Sequence, residues 1–258
     1  MATPKLKDPI IFTAEQKQVL NGALLGDGSL VLHRDGANAN FQYLSKSLQH
    51  VEFVGRYFKE YWSGEGIKHT SFLDSRINKE YERYYVKTYT NISFTNEYIK
   101  WYKNRIKHVP KDLILTPLTC LIWYIGDGGI CHMERTENIK ISTHCFSKED
   151  QENILLPQLK QFEPSLMSAG NNQYFIYIPH RKELEFLQYI GDCPFDDYAY
   201  KWKVKEYKNA IPKNHTMYED DFCEMYKNGM TYYAIAKQFV EPNAVKYYLK
   251  KNNIYKNI

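Results

Sequence analysis

One stretch, Leu20-Asn21-Gly22-Ala23-Leu24-Leu25-Gly26-Asp27-Gly28, recurs one hundred residues later as Cys120-Leu121-Ile122-Trp123-Tyr124-Ile125-Gly126-Asp127-Gly128. Each copy is an apolar run closed by Gly-Asp-Gly. An acid at the end of a segment apolar enough to be buried is unfavourable unless it binds a cation or takes part in chemistry. Gly22 and Gly26 lie four residues apart, so on a helix they leave one bare face along which a second backbone can come close. A second helix of this kind would set Asp127 beside Asp27. One copy alone is equally well an ordinary buried helix ended by a glycine-rich turn. The repetition, with the same run of elements after each copy, favours a functional pair.

Those elements follow from the residue pattern. Thr13-Ala14-Glu15-Gln16 has the form of a capping box, so the first helix starts there and runs to about Leu25. Alternation predicts a hairpin from Ser29 to His33 and Asn40 to Lys46, across the turn formers Arg34 to Asn38. Ser47 caps a helix whose Val51, Phe53, Val54, Tyr57 and Phe58 face a core. Strands follow at Ile67 to Leu73 and Tyr81 to Phe94, and Thr95 starts a helix through to Ile106. The series restarts at Thr116-Pro117, an N-cap and first-turn pair, with a helix to Ile125. A hairpin from Gly128 to Ser142, a helix from Ser147 to Leu159, a strand from Gln173 to Ile178 and a helix from Lys182 to Tyr189 complete it. Helix, two strands, helix, two strands, helix thus occurs twice, which makes the fold class α+β with tandem αββαββα repeats.

With 258 residues and 43% hydrophobic content, the chain can bury a real core. A net charge of +4 is mild for a nucleic-acid binder, but it is unevenly spread. From Lys201 onward eleven lysines face six acids, which leaves the first two hundred residues at −1. Tyrosine is unusually common, 23 residues, and exposed aromatics can contact bases and sugars, although half-buried strands also favour tyrosine. The five cysteines form no CxxC pair, which predicts a reducing compartment. Zinc is disfavoured, because the adjacent pairs Cys131-His132 and His144-Cys145 would point to opposite faces of a strand. Met1 to Pro9 is polar and charged, and the longest apolar stretch, Leu113 to Ile125, is interrupted by Pro117. A soluble, intracellular protein that is neither secreted nor membrane-bound is expected.

The two nine-residue stretches resemble the motif of the LAGLIDADG homing endonucleases, whose eighth letter falls on Asp27 and Asp127. The resemblance covers about residues 14 to 208. It is strongest to the branch whose second motif is preceded by Leu-Thr-Pro and contains Trp-Tyr, here Leu115-Thr116-Pro117 and Trp123-Tyr124. The departures are Asn21 for the usual alanine, Cys120 for the first leucine, and Ile122 for the close-packing glycine. A bulky Ile122 allows an asymmetric helix contact.

This resemblance implies two repeats, 1–112 and 113–208, with motif helices packed together and two four-stranded sheets forming a saddle on DNA. Asp27 and Asp127, with carbonyl oxygens of Gly26 and Gly126, would hold the metal. Oxygen ligands favour Mg²⁺, with Mn²⁺ substituting and Ca²⁺ binding without supporting cleavage. Each acid would serve one strand across a minor groove, giving a double-strand break with short 3′ overhangs. The family pattern places a lysine at the end of the last helix of each half, here Lys107 and Lys201. Ser45 and Thr143 occupy strand positions where relatives carry a polar group that orders water, and Gln49 is a further candidate. Alternation selects outward-facing DNA contacts: Arg34, Gln42, Arg83, Tyr85 and Lys87 in the first half, and Arg135, Lys140, Ser142, Gln173 and Phe175 in the second.

Residues 209–217, containing Pro212, read as a linker. Beyond it, helices at Glu219 to Lys227, Thr231 to Phe239 and Asn243 to Asn252 resemble a helix-turn-helix module spanning 218–258. Lys246, Lys250 and Lys251 would lie on its recognition helix. A small helical cap on the catalytic body is the alternative. The expected protein is a monomeric endonuclease acting on double-stranded DNA. An intron RNA maturase on the same fold, with RNA as partner, and a non-catalytic DNA-binding regulator are the rivals.

Overall fold

The computed structural model describes residues 8–32, 37–133, 136–204, 219–239 and 242–255. The chain divides into two compact units, Met1–Val204 and Lys205–Ile258. Among the described residues no helix is long and apolar enough to cross a membrane.

The first unit is α+β. Helix α1 (Ala14–Leu25) opens with the expected capping box: Gln16 N donates to Thr13 Oγ1, and Thr13 N to Gln16 Oε1. Strands β1 (Ser29–Leu32) and β2 (Ala39–Ser45) follow, then α2 (Leu48–Gly55), whose N-cap is Ser47. After a 3-10 stretch over Arg56–Tyr61 come β3 (Lys68–Asp74), β4 (Lys79–Lys87) and α3 (Ile92–Trp101). These strands form an antiparallel sheet in the order β1-β2-β4-β3. A short hairpin of β5 (Tyr102–Lys103) and β6 (Ile106–Lys107) leads toward α4 (Pro117–Asp127), capped by Thr116. The second repeat adds β7 (Gly128–Met133) and β8 (Thr136–Ser142). A helical run begins at α5 (Lys148–Asp150), passes through a π-helical turn and ends in α6 (Leu156–Gln158). Strands β9 (Ser165–Gly170) and β10 (Gln173–Ile178) and helix α7 (His180–Ile190) close it, with sheet order β7-β8-β10-β9.

Each sheet turns one face to the core. Ala39, Phe41 and Tyr43 on β2 and Ile139, Ile141, Ile176 and Ile178 in the second sheet are all essentially inaccessible to solvent. The two motif helices pack against each other, and their contact is asymmetric. A Cβ on Gly22 would lie 2.5 Å from Thr119 O and 2.7 Å from Ile122 Cβ, so the α4 backbone occupies the space of the missing side chain. Gly26 is not part of this close face, since a Cβ there would meet nothing nearer than Asp127 Oδ2 at 3.6 Å. The glycines after the acids are sterically demanded instead: a Cβ on Gly28 would sit 2.8 Å from the Ala23 carbonyl, and one on Gly128 2.0 Å from Tyr124 Cδ2.

Several boundaries differ from the sequence expectation. Strand β4 ends at Lys87, not Phe94, because Asn91 caps α3 by accepting from Ser93 N. Helix α3 stops at Trp101 instead of continuing to Ile106, since Tyr102 is extended and Asn104 and Arg105 both take positive φ, the geometry of a tight hairpin turn. The helix expected from Ser147 to Leu159 is present as one helical run, with a π-helical stretch at Gln151–Leu155 just before Pro157. Helix α4 reaches Asp127, two residues past the expected end. The residues expected to form the linker lie outside the described residues.

The second unit holds α8 (Glu219–Lys227), α9 (Tyr232–Phe239) and α10 (Pro242–Lys251) around Phe222, Ile235, Val245 and Leu249.

Replacing Gly22 by alanine should lower unfolding free energy by about 1–3 kcal/mol through overpacking. Gly129→Ala, where a Cβ meets nothing within 4 Å, should stay within about 0.5 kcal/mol of the parent. Urea unfolding of the two variants measures both.

Candidate active site

The motif helices end side by side, and each aspartate leans on the other repeat. Asp27 Oδ2 lies 3.2 Å from the Cβ position of Gly126, and Asp127 Oδ2 lies 3.6 Å from that of Gly26. Asp27 is open to solvent on its outer side, whereas Asp127, in the last turn of α4, is half-buried. Burial raises both carboxyl groups above the ordinary range. Asp127 is pushed up to about 7, by burial first and then by the charge of Asp27. A pair of acids held this close in a partly desolvated seam resists carrying two charges.

Two lysines oppose that repulsion. Lys107 Nζ donates to Gly28 O at 2.9 Å and Gly26 O at 3.3 Å. Lys201 Nζ donates to Ile125 O at 2.6 Å and Gly126 O at 3.4 Å. Each therefore caps the carbonyl end of its own repeat's motif helix, where a cation is favoured. Their electrostatic reach crosses over. Lys201 is the stronger of the two in lowering Asp27, and Lys107 the stronger in lowering Asp127. Burial in turn lowers the pKa of both ammonium groups, against the pull of the aspartates. Lys201 lies in the last turn of a helix as expected from the sequence, a 3-10 helix over Asp196–Trp202, whereas Lys107 is on β6 and not at a helix end.

The polar strand residues are turned inward. Ser45 Oγ is 3.1 Å from His50 Nδ1, accepts from Ser47 N and meets Tyr198 OH at 3.2 Å. His50 is fully buried, its imidazole pushed down to about 3 by burial and by Lys201, so it is neutral at working pH. Tyr43 OH lies 2.6 Å from its Nε2. A neutral ring with Tyr43 as donor to Nε2 must donate from Nδ1 to Ser45, whose own proton then points to Tyr198. Tyr43, His50, Ser45 and Tyr198 thus form one connected hydrogen-bond chain. Thr143, also buried, donates to Gln151 Oε1 at 2.5 Å. Gln49 is exposed, and its Oε1 accepts from Asp197 N at 3.2 Å.

On the outer faces of the sheets, Gln42 pairs with Lys87, and Arg83, Tyr85 and Lys87 alternate along β4 on that same face. In the second sheet Ser142 pairs with Phe175 and Lys140 with Tyr177, with Lys140 Nζ 4.3 Å from the Phe175 ring. A register shift between Gln173 and Tyr174 interrupts the alternation, so Gln173 does not follow Phe175 in simple period-two order. Arg34 and Arg135 lie outside the described residues. In the second unit Lys251 Nζ is 3.0 Å from Glu219 Oε2, and Lys246 Nζ sits over the rings of Tyr232 and Tyr255. Lys250 is exposed, 5.7 Å from the Tyr255 ring centroid.

Sequence reasoning missed Tyr43, His50, Asp150, Asp197 and Tyr198. For His50 a signal existed: it shares the core-facing stripe of α2 with Ser47, Val51 and Val54, and a polar residue on such a stripe needs an internal partner. For Asp197 and Tyr198 no local pattern pointed to a partner some 150 residues away.

Among the described residues no three His, Cys, Asp or Glu side chains cluster so as to hold a metal ion. Two carboxylates with nearby carbonyls form an oxygen-only set that a hard divalent cation fits once phosphate and water complete it.

The family model described as the LAGLIDADG DNA endonuclease family matches residues 17–186. The DNA endonuclease I-ChuI of Chlamydomonas applanata is 28% identical over 206 residues, which is 73% of this chain and 94% of that protein. Among solved structures, the homing endonuclease I-WcaI bound to its DNA recognition sequence has a TM-score of 0.66 at 19% identity, covering 76% of this chain and 89% of the other.

A carboxyl raised from 3.8 to about 7 stabilises the fold fully below pH 3.8 and loses that contribution as the pH climbs through 7. Asp127→Asn should therefore be more stable than the parent at pH 8 in EDTA, by about 2 kcal/mol after allowing for partial exposure. The difference should vanish near pH 4. Paired thermal melts across that range provide the check.

Proposed function

Because the chain belongs to the LAGLIDADG DNA endonuclease family, we propose that it is a homing-type enzyme that cuts both strands of a long duplex site. The proposed centres are composite: Asp27 with Gly126 and Lys201, and Asp127 with Gly26 and Lys107. The observation that carries this reading is the exchange itself, each acid lying against the glycine of the other repeat, whose carbonyl accepts from that repeat's lysine.

Phosphodiester hydrolysis requires that charge developing on the phosphoryl oxygens be neutralised and that water be positioned. Asp27 and Asp127, with the Gly26 and Gly126 carbonyls, would hold Mg²⁺, with Mn²⁺ as a substitute and Ca²⁺ binding without turnover. That ion supplies charge neutralisation and lowers the pKa of bound water. Lys107 and Lys201, anchored on the helix-end carbonyls, present ammonium groups to the scissile phosphates. Tyr198, backed by Ser45 and His50, and the Thr143 to Gln151 pair stiffen the walls around the two centres. Two centres facing strands across a minor groove give staggered cuts and short 3′ overhangs.

The outer sheet faces, with Arg83, Tyr85, Lys87, Lys140 and Phe175 alternating basic and aromatic groups, suit a saddle reading the major groove. One chain carries both acids, so a monomer suffices. We assign 1–112 and 113–208 to the two repeats and 218–258 to a helix-turn-helix module. Its Lys246 and Lys250 would be the phosphate contacts, with Lys251 tied to Glu219.

Incubating a plasmid library of randomised inserts with the chain should yield linear DNA only when Mg²⁺ is present, with staggered 3′ ends on sequencing. Asp27→Asn should reduce linearisation by at least about a hundredfold. Linearisation in EDTA, or by the Asp27→Asn, Asp127→Asn double variant, would show that the acids are not the catalytic pair.

A further inference from the structure

Each lysine is carried by one repeat, and the segment that carries it is gripped by the other. The 3-10 helix bearing Lys201 starts at Asp196. Asp197 Oδ2 accepts from Ser47 Oγ at 2.5 Å, and Asp197 N donates to Gln49 Oε1 at 3.2 Å. One residue on, Tyr198 OH meets Ser45 Oγ at 3.2 Å. Tyr198 and Lys201 are three apart, so on a 3-10 helix they share a face, and Lys201 Nζ lies 4.8 Å from the Tyr198 ring centroid. Phe195 packs on Phe53 and His50 at ring distances of 5.7 and 5.6 Å. All five gripping residues belong to the repeat that supplies Asp27.

The other lysine is treated alike with different chemistry. Two residues past Lys107, Val109 N donates to Asp150 Oδ2 at 3.3 Å, and His108 Nδ1 lies 3.5 Å from the same oxygen. Asp150 is fixed by Ser147, which caps its N–H at 3.0 Å. Ser47 and Ser147 are the N-caps of equivalent helices, so the grip comes from the same place in both repeats. Two unlike hydrogen-bond sets converging on equivalent positions point to a demand for position, not for a particular side chain.

We infer that Asp197, held by Ser47, and Asp150 are positioning residues: each fixes the lysine-bearing segment of one repeat against the repeat whose aspartate that lysine serves. Every centre thus needs an acid from one repeat, a lysine from the other, and a brace tying the lysine-bearing segment to the acid's repeat: Asp197, on the Lys201 segment and held by Ser47, for one centre, and Asp150, on the repeat of Asp127, for the other. Loosening one brace displaces one lysine and leaves the second centre assembled, so the defect falls on a single strand. Asp197 is exposed.

The inference rests on the two-centre reading. Its test uses the full chain with a duplex recovered from the library above, each strand carrying a different fluorophore, under single-turnover conditions in Mg²⁺. Lys201→Met sets the benchmark by slowing one strand. Asp197→Ala should slow that same strand by about tenfold and leave the other within about twofold, so that supercoiled plasmid accumulates as nicked circle. Asp197→Asn, which still accepts from Ser47, should recover most of the rate, and Asp150→Ala should slow the opposite strand. Equal slowing of both strands by Lys201→Met would overturn the two-centre reading and this inference with it. A strand-selective Lys201→Met combined with a symmetric or absent effect of Asp197→Ala, or with no rescue by Asp197→Asn, would overturn the brace alone.

Discussion

The site depends on two helices meeting backbone to backbone at Gly22. With no side chain there, the α4 backbone at Thr119 and the base of Ile122 occupy the vacated space, and the helix ends converge. Interaxial separation is set by the side chains at the contact, so removing one lets the carbonyl ends of both helices share a small volume. Gly28 and Gly128 then turn the chain sharply, because any Cβ would strike the helix it has just left. The acids are thereby caught at the seam between the two repeats, Asp127 half-buried and Asp27 more open.

That seam explains the electrostatics. Partial desolvation and mutual repulsion push the carboxyl groups up, and two lysines anchored on helix-end carbonyls push back. Charges of both signs persist there because each compensates the other, an arrangement that is costly to lose one member of. The lower exposure of Asp127, which lies within α4 while Asp27 lies beyond α1, makes the two acids inequivalent in spite of the repeat.

Pseudo-symmetry constrains placement more than chemistry. Around Ser45 the network runs through a neutral histidine and two tyrosines, whereas around Thr143 a single glutamine does the corresponding work by bonding the hydroxyl and two carbonyls. Buried polar groups must be satisfied, but several residue sets can satisfy them, so the two halves have diverged in composition while keeping one architecture.

The duplicated apolar run, the capping box and N-caps, the alternation of most strands and the two acids were legible in the sequence, because each is a local pattern whose cause lies within a few residues. The three tail helices were legible for the same reason, to within a residue at most ends. What failed locally had local competitors: Asn91 caps a helix where alternation suggested more strand, and Asn104-Arg105 turn the chain into a hairpin where helical spacing continues in the sequence. The exchange of lysines between repeats, the inward turn of Ser45 and Thr143, and the grip of Ser47 on Asp197 belong to the tertiary structure alone. They join residues about 150 positions apart, or depend on which side of a buried hydroxyl its partners stand, and nothing in a short window of sequence carries that information.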